Sequence, residues 1–424
     1  MLNYKLTKLE NGLRIITAPI EKTRAASILF LFGVGSRYEE EKLSGISHFL
    51  EHMFFKGTEK RPTTLDISKE LDSVGAGYNA YTGEENTGYF VHVPSKHFDL
   101  GLDVLSDMLF NSKFDEAEIN KEKGVIVEEI NMYEDEPRGK VELVAKELVY
   151  GNQPLGRKIT GEKETVIRFT RDDFVNYKKS HYNPENMVIA VAGNIGDDVL
   201  EKLKDKFGQM EKMPKNEYLK VQEEQSSPQV KIHFKETEQS HFIIGFRSIK
   251  RTDAKHPDLR VLTNLMGQMM SSRLFIEVRE KRGLCYYVAA DMTDFNDTGF
   301  WSVSAGVDNN RVEEALEVIL KEIEKLKNEP VGAEELKRAK ENLKGHLYLN
   351  LEDSMSVASF LAEQELFWQK IQDPDEIAAD YDKVTAEDIQ DLAQNLFISE
   401  HLNLALLGPF KDNEKFSKIL EKYK

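Results

Sequence analysis

Two histidines and a glutamate at helical spacing are the residues of this chain best suited to chemistry. His48, Glu51 and His52 stand within the sequence His-Phe-Leu-Glu-His, and residues three or four apart lie on one face of a helix. The residues between them, Phe49 and Leu50, are apolar, so the helix is predicted to be buried with one narrow polar stripe. Burial of unpaired imidazoles and a carboxylate is unfavourable, and a bound metal ion would compensate for it.

Zinc fits this stripe. It accepts two histidine nitrogens, and catalytic zinc sites keep one coordination position for water. Glu51 lies between the two histidines and can take a proton from that water as general base. The arrangement is the reversed counterpart of the H-E-x-x-H pattern of metalloproteases. The alternative is that His48 and His52 are ordinary core or surface histidines that meet by coincidence among the 10 histidines of the chain.

A second helix, predicted over 116–136, offers the third ligand. It contains adjacent carboxylates, Glu128 and Glu129, and helical phase places Glu128 on the polar side. Glu122 and Glu129 share the apolar face, where a solvated charge does not belong, so Glu129 is the predicted ligand. Glu122 is predicted to orient a histidine or water, with an ordinary surface glutamate as the alternative. The predicted apolar face consists of Val125, Ile126, Ile130 and Tyr133.

The sequence after this site predicts that the chain contains the same order of helices and strands twice. Thr170 opens a helix that leads to the apolar strand 187–193, and Thr385 opens a helix that leads to the strand 402–408. The interval is 215 positions in both cases, and a Lys-rich amphipathic helix follows each strand. A helix cap, strand and trailing helix in constant register indicate duplication.

We therefore predict two homologous domains in tandem. Residues 1–210 form the catalytic, zinc-binding domain, and residues 229–424 form its homologue. The segment 211–228 is polar with a proline near each end, which is typical of a linker. The predicted fold class is α+β, a mostly antiparallel or mixed sheet packed with helices in each domain, because no plain βαβ alternation is evident.

Composition excludes several classes of partner. A net charge of −17 argues against nucleic acid as the main partner, and no segment approaches the roughly 18 continuous apolar residues of a membrane span. Cys285 is the only cysteine, so no intrachain disulfide is possible. The amino-terminal segment has no signal or transit pattern. These features predict a cytoplasmic protein that binds neither nucleic acid nor membrane.

The two helical motifs resemble those of the inverzincin peptidases, the family that includes pitrilysin, insulin-degrading enzyme and mitochondrial processing peptidase. His-Phe-Leu-Glu-His is similar to the family's H-x-x-E-H, and residues 122–129 are similar to the segment that carries its last zinc ligand. The resemblance implies the metallohydrolase fold of processing peptidases. It also implies one zinc ion per chain, bound by His48, His52 and Glu129, with Glu51 as catalytic base.

Two further segments extend the resemblance. Residues 77–82 are similar to the edge strand on which the family lays its substrate by backbone pairing, which implies substrate binding at Asn79 and Ala80. Residues 271–286 are similar to the family's S-S-R-L-F…R-E-x-x-G-L-x-Y, which implies that Arg279 and Tyr286 hold the substrate and the developing oxyanion. Without the family pattern, Arg279 is more simply a helix-end cation and Tyr286 a strand residue.

The length of the chain resembles that of the half-length bacterial members, which form dimers. The resemblance implies a homodimer with an enclosed chamber, in which Arg279 and Tyr286 complete the zinc site of the partner subunit. One feature of mitochondrial processing peptidases is missing. Gly139 and Leu143 stand where acidic residues would read a substrate arginine, so arginine selectivity is not implied.

The predicted function is that of a zinc endopeptidase that hydrolyses short unfolded peptides or trims precursors. One alternative is a catalytically silent subunit that binds peptides or acts as a scaffold within a heterodimeric processing peptidase. The intact base Glu51 argues against it, because a silent subunit has no need of that group. A zinc hydrolase for a small non-peptide substrate is the weaker alternative, since it would leave the second half without a purpose.

Overall fold

The computed structural model describes residues 2–423, and within that range eleven strands form two mixed sheets. In chain order the strands are β1 Lys5–Lys8, β2 Arg14–Pro19, β3 Ala25–Phe32, β4 Gly77–Thr82, β5 Thr87–Pro94, β6 Met187–Gly193, β7 Gln229–Phe234, β8 Gln239–Ser248, β9 Cys285–Asp294, β10 Gly299–Asp308 and β11 Leu402–Gly408.

Helices cover these sheets, in agreement with the α+β class expected from the sequence. The α-helices of the described range are α1 Ile46–Phe54, α2 Thr64–Asp72, α3 Phe98–Asn111, α4 Glu116–Asp135, α5 Pro137–Tyr150, α6 Lys163–Val166, α7 Arg171–His181, α8 Val199–Phe207, α9 His256–Thr263, α10 Val312–Asn328, α11 Ala333–Asn350, α12 Ser354–Glu363, α13 Pro374–Lys383, α14 Ala386–Leu396 and α15 Glu414–Glu421. Three π-helical segments add to them, at Asn264–Gln268, Phe275–Glu280 and Gln364–Trp368. In the part of the chain that is described, no helix is long and apolar enough to cross a bilayer.

The first compact unit contains the six-stranded sheet, in the order β1-β2-β6-β3-β5-β4. It consists of the chain up to Asn131, Arg157–Leu219 and Tyr348–Pro374. Strand β3 reads as a continuous apolar run because both of its faces are covered. On one face, Phe30 joins the core beneath α1 and α3, and on the other Leu31 packs with residues of α12. Strand β4 is left as an edge strand beside α1.

The second compact unit contains the five-stranded sheet, in the order β7-β11-β8-β10-β9. It consists of Met132–Gly156, Lys220–Leu347 and the chain from Asp375 onward. One face of this sheet shares a core with α9, α10 and α14. On the other face, Val141, Val144 and Ala145 of α5 pack against residues of β8 and β11. Strand β9 is an edge strand.

The two sheets repeat one topology. Strand β6 is parallel to β2 and antiparallel to β3, and β11 is parallel to β7 and antiparallel to β8 in the same way. The predicted interval of 215 positions separates β6 from β11, β2 from β7 and α7 from α14. A threonine–aspartate capping box opens both α7 and α14. The strand order β2-β6-β3-β5-β4 of the first sheet is therefore repeated as β7-β11-β8-β10-β9 in the second, and β1 is an additional strand of the first sheet.

The compact units do not coincide with the two halves of the sequence. Helix α5 comes from the first half but packs on the second sheet, and α12 comes from the second half but packs on the first. The interval of 215 positions also relates these two helices. Each half thus contributes an equivalent segment to the unit built on the other half's strands. The segment 211–228 contains neither helix nor strand.

Candidate metal centre

Helix α1 carries the His-Phe-Leu-Glu-His motif, and its start is fixed by glycine. Gly45 precedes the helix with a φ of +95°, in the left-handed region that side chains rarely adopt. A Cβ at this position would lie 2.7 Å from the backbone oxygen of Thr160 and 2.8 Å from the Cα of Gly161. Only glycine therefore allows α1 to begin so close to this neighbouring segment.

A buried carboxylate caps the first turn of α1. The side chain of Glu39 accepts hydrogen bonds from the backbone N–H groups of Gly45, at 2.7 Å, and Ser47, at 2.8 Å. These groups have no partner within the helix, and a negative charge is favourable beside a helix amino terminus. Burial raises the pKa of Glu39 to about 7, against the effect of these two bonds.

The three predicted ligands converge. His48 Nε2 lies 3.6 Å from Glu129 Oε1, and His52 Nε2 lies 3.7 Å from Glu129 Oε2. The three residues offer one ligand atom each, and these atoms all lie within 4.8 Å of one another. Zinc bonds of about 2.0–2.1 Å place the ligand atoms of a tetrahedral site roughly 3.3 Å apart. The donor set and its spacing fit one zinc ion with a position left for water.

Glu122 is a buried carboxylate that contacts one of the three candidate ligands. Its side chain is buried, and Oε1 lies 2.8 Å from Nδ1 of His52 while Oε2 lies 2.6 Å from Nζ of Lys56. Burial alone would raise the pKa of Glu122, but the hydrogen bonds with His52 and Lys56 outweigh it and lower the pKa. The contact on Nδ1 leaves Nε2 of His52 to face Glu129, which is the arrangement expected around a metal-binding histidine.

The structure corrects the predicted apolar face of α4. Val125 is 51 % exposed and Tyr133 is 40 % exposed, so neither forms part of the core face. That face consists of Ile119, Glu122, Ile126 and Ile130. Glu129 is half-buried at its edge, and interaction with His48 lowers its pKa. Glu128 is exposed, as predicted.

Glu51 has a partner that the sequence did not reveal. The hydroxyl of Thr82, the last residue of β4, donates to Oε2 of Glu51 at 2.5 Å. Asn79 and Ala80 lie earlier in the same strand, and the side-chain oxygen of Asn79 accepts from the N–H of Ala80 at 2.9 Å. The candidate base and the candidate substrate strand therefore belong to one local structure.

Arg279 and Tyr286 lie in the second compact unit. Arg279 is in the π-helical segment Phe275–Glu280, with its guanidinium 4.8 Å from the centroid of the Phe275 ring. Tyr286 is the second residue of the edge strand β9 and is 80 % exposed. Both side chains are thus placed on the elements expected from the residues alone, and their role in substrate binding stays a prediction.

Sequence reasoning missed Lys56, Thr82 and Glu39. Lys56 had the clearest signal, because it stands four residues after His52, close to the polar stripe of α1. Thr82 stood at the end of a strand already singled out for its backbone. Glu39 lies outside α1 and follows no periodicity.

Two family models match the chain. Residues 14–163 match the model described as Insulinase (Peptidase family M16), and residues 168–343 match the model described as Peptidase M16 inactive domain. A protein of Bacillus subtilis described as an uncharacterized zinc protease is 38% identical over 94% of this chain and 97% of its own length. One of Streptomyces coelicolor with the same description is 34% identical, over 96% and 90%.

Solved structures share the fold. The crystal structure of a protease from Helicobacter pylori has a TM-score of 0.90 at 24% identity, covering 96% of this chain and 100% of that one. A peptidase M16 inactive domain from Pseudomonas fluorescens has a TM-score of 0.88 at 17% identity, covering 97% and 98%. At these identities the likeness concerns the fold alone.

Proposed function

The chain belongs to the peptidase M16 family and is a zinc metalloprotease, and we propose that it is an endopeptidase for short unfolded peptides or precursors. The observation that carries this proposal is the convergence of His48, His52 and Glu129 beside Glu51. Strand β4 supports an extended peptide as substrate, because its free edge can pair with a peptide backbone. Asn79 and Ala80 are the proposed pairing residues.

Each group has a proposed role in hydrolysis. When bound, zinc polarises the scissile carbonyl and the attacking water. Glu51 takes the proton of that water and passes it to the leaving amine. Glu122 holds the ring of His52. Arg279 and Tyr286 bind the substrate carbonyl and stabilise its developing negative charge, since a cation and a phenol are suitable donors.

We assign one zinc ion to each chain. Among residues 2–423 the only group of three metal-binding side chains is His48, His52 and Glu129. Lys344 stands on α11 at the position equivalent to Glu129, 215 residues later, and pairs with Asp382. The second half thus has a cation where the first has a ligand. Equilibrium dialysis followed by elemental analysis tests this stoichiometry, and two tightly bound zinc ions per chain would contradict it.

The first test is cleavage of a mixed peptide pool by the zinc-loaded protein and by a Glu51→Gln variant. Gln keeps the shape of Glu51 but cannot accept the proton, so we expect full zinc content and loss of cleavage. Glu128→Gln, an exposed change on α4, is the matched control and should cleave as the wild type does. If the wild type binds zinc fully and cleaves nothing, the silent peptide-binding subunit becomes the better assignment.

The proposed active form is a homodimer with an enclosed chamber, in which Arg279 and Tyr286 act on the partner's zinc site. The proposal rests on the resemblance to half-length, dimeric family members. The test mixes Glu51→Gln subunits with Tyr286→Phe subunits, each inactive alone. Recovered cleavage supports shared sites, whereas no recovery after confirmed mixing, or a monomer in analytical ultracentrifugation, contradicts them. A cytoplasmic location stays a prediction from the single cysteine.

A further inference from the structure

The hydroxyl of Thr82 is joined to the candidate catalytic base. It donates to Oε2 of Glu51 at 2.5 Å, and both side chains are partly buried. Within residues 2–423 this is the one hydrogen bond that the side chain of Glu51 makes. The bond is made to Oε2, so Oε1 of Glu51 keeps its capacity to accept a proton. Holding a glutamate side chain in one orientation costs rotamer entropy. The hydrogen bond from Thr82 helps to offset that cost.

Thr82 points toward the metal helix because of its place in β4. Side chains alternate across a strand, so Thr82 shares a face with Ala80, which is buried in the core that includes α1. Thr82 also pairs with the fully buried Thr87 of β5. The hydroxyl of Thr87 donates to the backbone oxygen of Val34 at 2.8 Å. The backbone at Thr82 is thus fixed by a buried neighbour.

The turn after Thr82 is fixed as well. Backbone N–H groups of Ser36 and Arg37 donate to the carbonyl oxygens of Gly83 and Glu84, at 3.1 and 2.9 Å. Gly35 permits this approach, since a Cβ there would lie 2.2 Å from the oxygen of Gly83. The buried side chains of Arg37 and Glu85 add an ion pair of 2.6 Å.

On the premise of the proposed peptidase function, we propose that Thr82 is a positioning residue that holds the Glu51 carboxylate in the orientation needed for proton transfer. Thr82 does not touch the substrate and acts through Glu51. Its backbone belongs to the strand that is proposed to align the peptide, so one element sets the place of both the substrate and the base. Misplacement of a catalytic group by about 1 Å can cost about 100-fold in rate.

The test compares Thr82→Val, which keeps the branched shape without the hydroxyl, with Thr82→Ser, which keeps the hydroxyl. We expect Thr82→Val to lower kcat by about 10- to 100-fold, with KM changed by less than about threefold. Thr82→Ser should stay within about threefold of the wild-type kcat. Zinc content and melting temperature should not change. Thr7→Val, on the opposite edge strand β1, is the control and should behave as the wild type.

A second measurement does not depend on turnover. Crystal structures of the zinc-loaded proteins should show one orientation of Glu51 in the wild type and several in Thr82→Val. If Thr82→Val does not fold, Thr82→Ala replaces it. A wild-type kcat in Thr82→Val, a Thr82→Ser variant as slow as Thr82→Val, or a single Glu51 orientation in Thr82→Val would overturn the proposal. If instead the wild type cleaves no peptide, the proposed function fails, and the Glu51 orientations still decide the role of Thr82.

Discussion

At the scale of single residues, Glu122 of α4 is expected to strengthen zinc binding by holding the ring of His52. Its carboxylate holds His52 and Lys56 at once, so removal of this side chain frees the His52 ring to rotate. We expect Glu122→Ala to weaken zinc binding by about 10- to 100-fold. Glu128→Ala, an exposed change on the same helix, should leave affinity unchanged. Competition with a coloured zinc chelator measures both, and equal affinities in the two variants would rule out this role.

Glu39 makes stability depend on pH. Folding raises its pKa from 4.5 to about 7 because the group is buried, so the native state binds a proton more tightly than the unfolded state. Its contribution to stability is fully present below about pH 4.5 and is lost as the pH rises through about 7. The loss amounts to about 3 kcal/mol, since each pKa unit corresponds to about 1.4 kcal/mol.

Glu39→Gln should therefore reduce this fall in the free energy of unfolding between roughly pH 5 and pH 8, a range that covers most of the interval between the unfolded pKa of 4.5 and the folded pKa of about 7. Urea unfolding of the metal-free proteins measures it. Glu41→Gln, an exposed change two positions away, should retain the wild-type dependence. A Glu39→Gln profile parallel to the wild type would show that Glu39 does not titrate in this range.

Whether a site residue could be predicted from the sequence depends on how far apart in the sequence it and its contact partner lie. His48, Glu51, His52 and Glu129 were predictable because helical spacing places each of them on a face shared with its neighbours. Thr82 contacts Glu51 across 31 positions, and no periodicity relates a strand end to a helix face. That contact depends on how the sheet and α1 pack, which a single sequence does not specify.

At the scale of elements, glycine is required at the start of α1 but not within α4. Gly45 has a φ of +95° and lies against backbone, so Gly45→Ala should destabilise the protein by more than about 1 kcal/mol and lower its zinc content. A Cβ at Gly124 of α4 would meet nothing within 4 Å, so Gly124→Ala should stabilise by about 0.5–1 kcal/mol. Thermal unfolding measures both, and equal shifts of the melting temperature would contradict the difference in backbone conformation.

Hydrophobic periodicity did not determine which residues of α4 face the core. Val125, Ile126 and Val127 are consecutive, so apolar side chains cover more than half of the helix circumference there. The predicted core face included Val125, whereas the structure exposes Val125 and packs Val127 against the core. Residue type alone cannot distinguish these neighbours. The carboxylates were placed correctly because Glu122 and Glu129 are seven positions apart, about two full turns.

At the scale of the whole molecule, neither half of the sequence contains a complete compact unit. Residues 1–210 lack α12, so the apolar side chains of β3 and β6 that it covers, such as Leu31 and Val188, would be exposed. We expect this half expressed alone to be insoluble or unfolded, and co-expression with 211–424 to give a soluble zinc-binding complex. Cooperative unfolding of residues 1–210 alone would contradict this expectation.

The repeated pattern was readable from the sequence, but this exchange of helices was not. Amphipathic spacing in α5 and α12 shows that one face of each helix is buried, and any sheet with an apolar face satisfies that requirement. Which sheet receives the helix depends on the course of the chain between elements. The capping boxes of α7 and α14, by contrast, are local and were visible at once.

The exchange also bears on ancestry. The segments Met132–Gly156 and Tyr348–Pro374 occupy equivalent places in the two halves of the sequence. Each half therefore supplies the same segment to the compact unit that is built on the other half's strands. A half-length ancestor could have completed its fold only by pairing with a second copy, as a domain-swapped dimer. Gene fusion would then have joined two chains that already exchanged this segment, and among residues 2–423 the group of three metal-binding side chains lies in the first half.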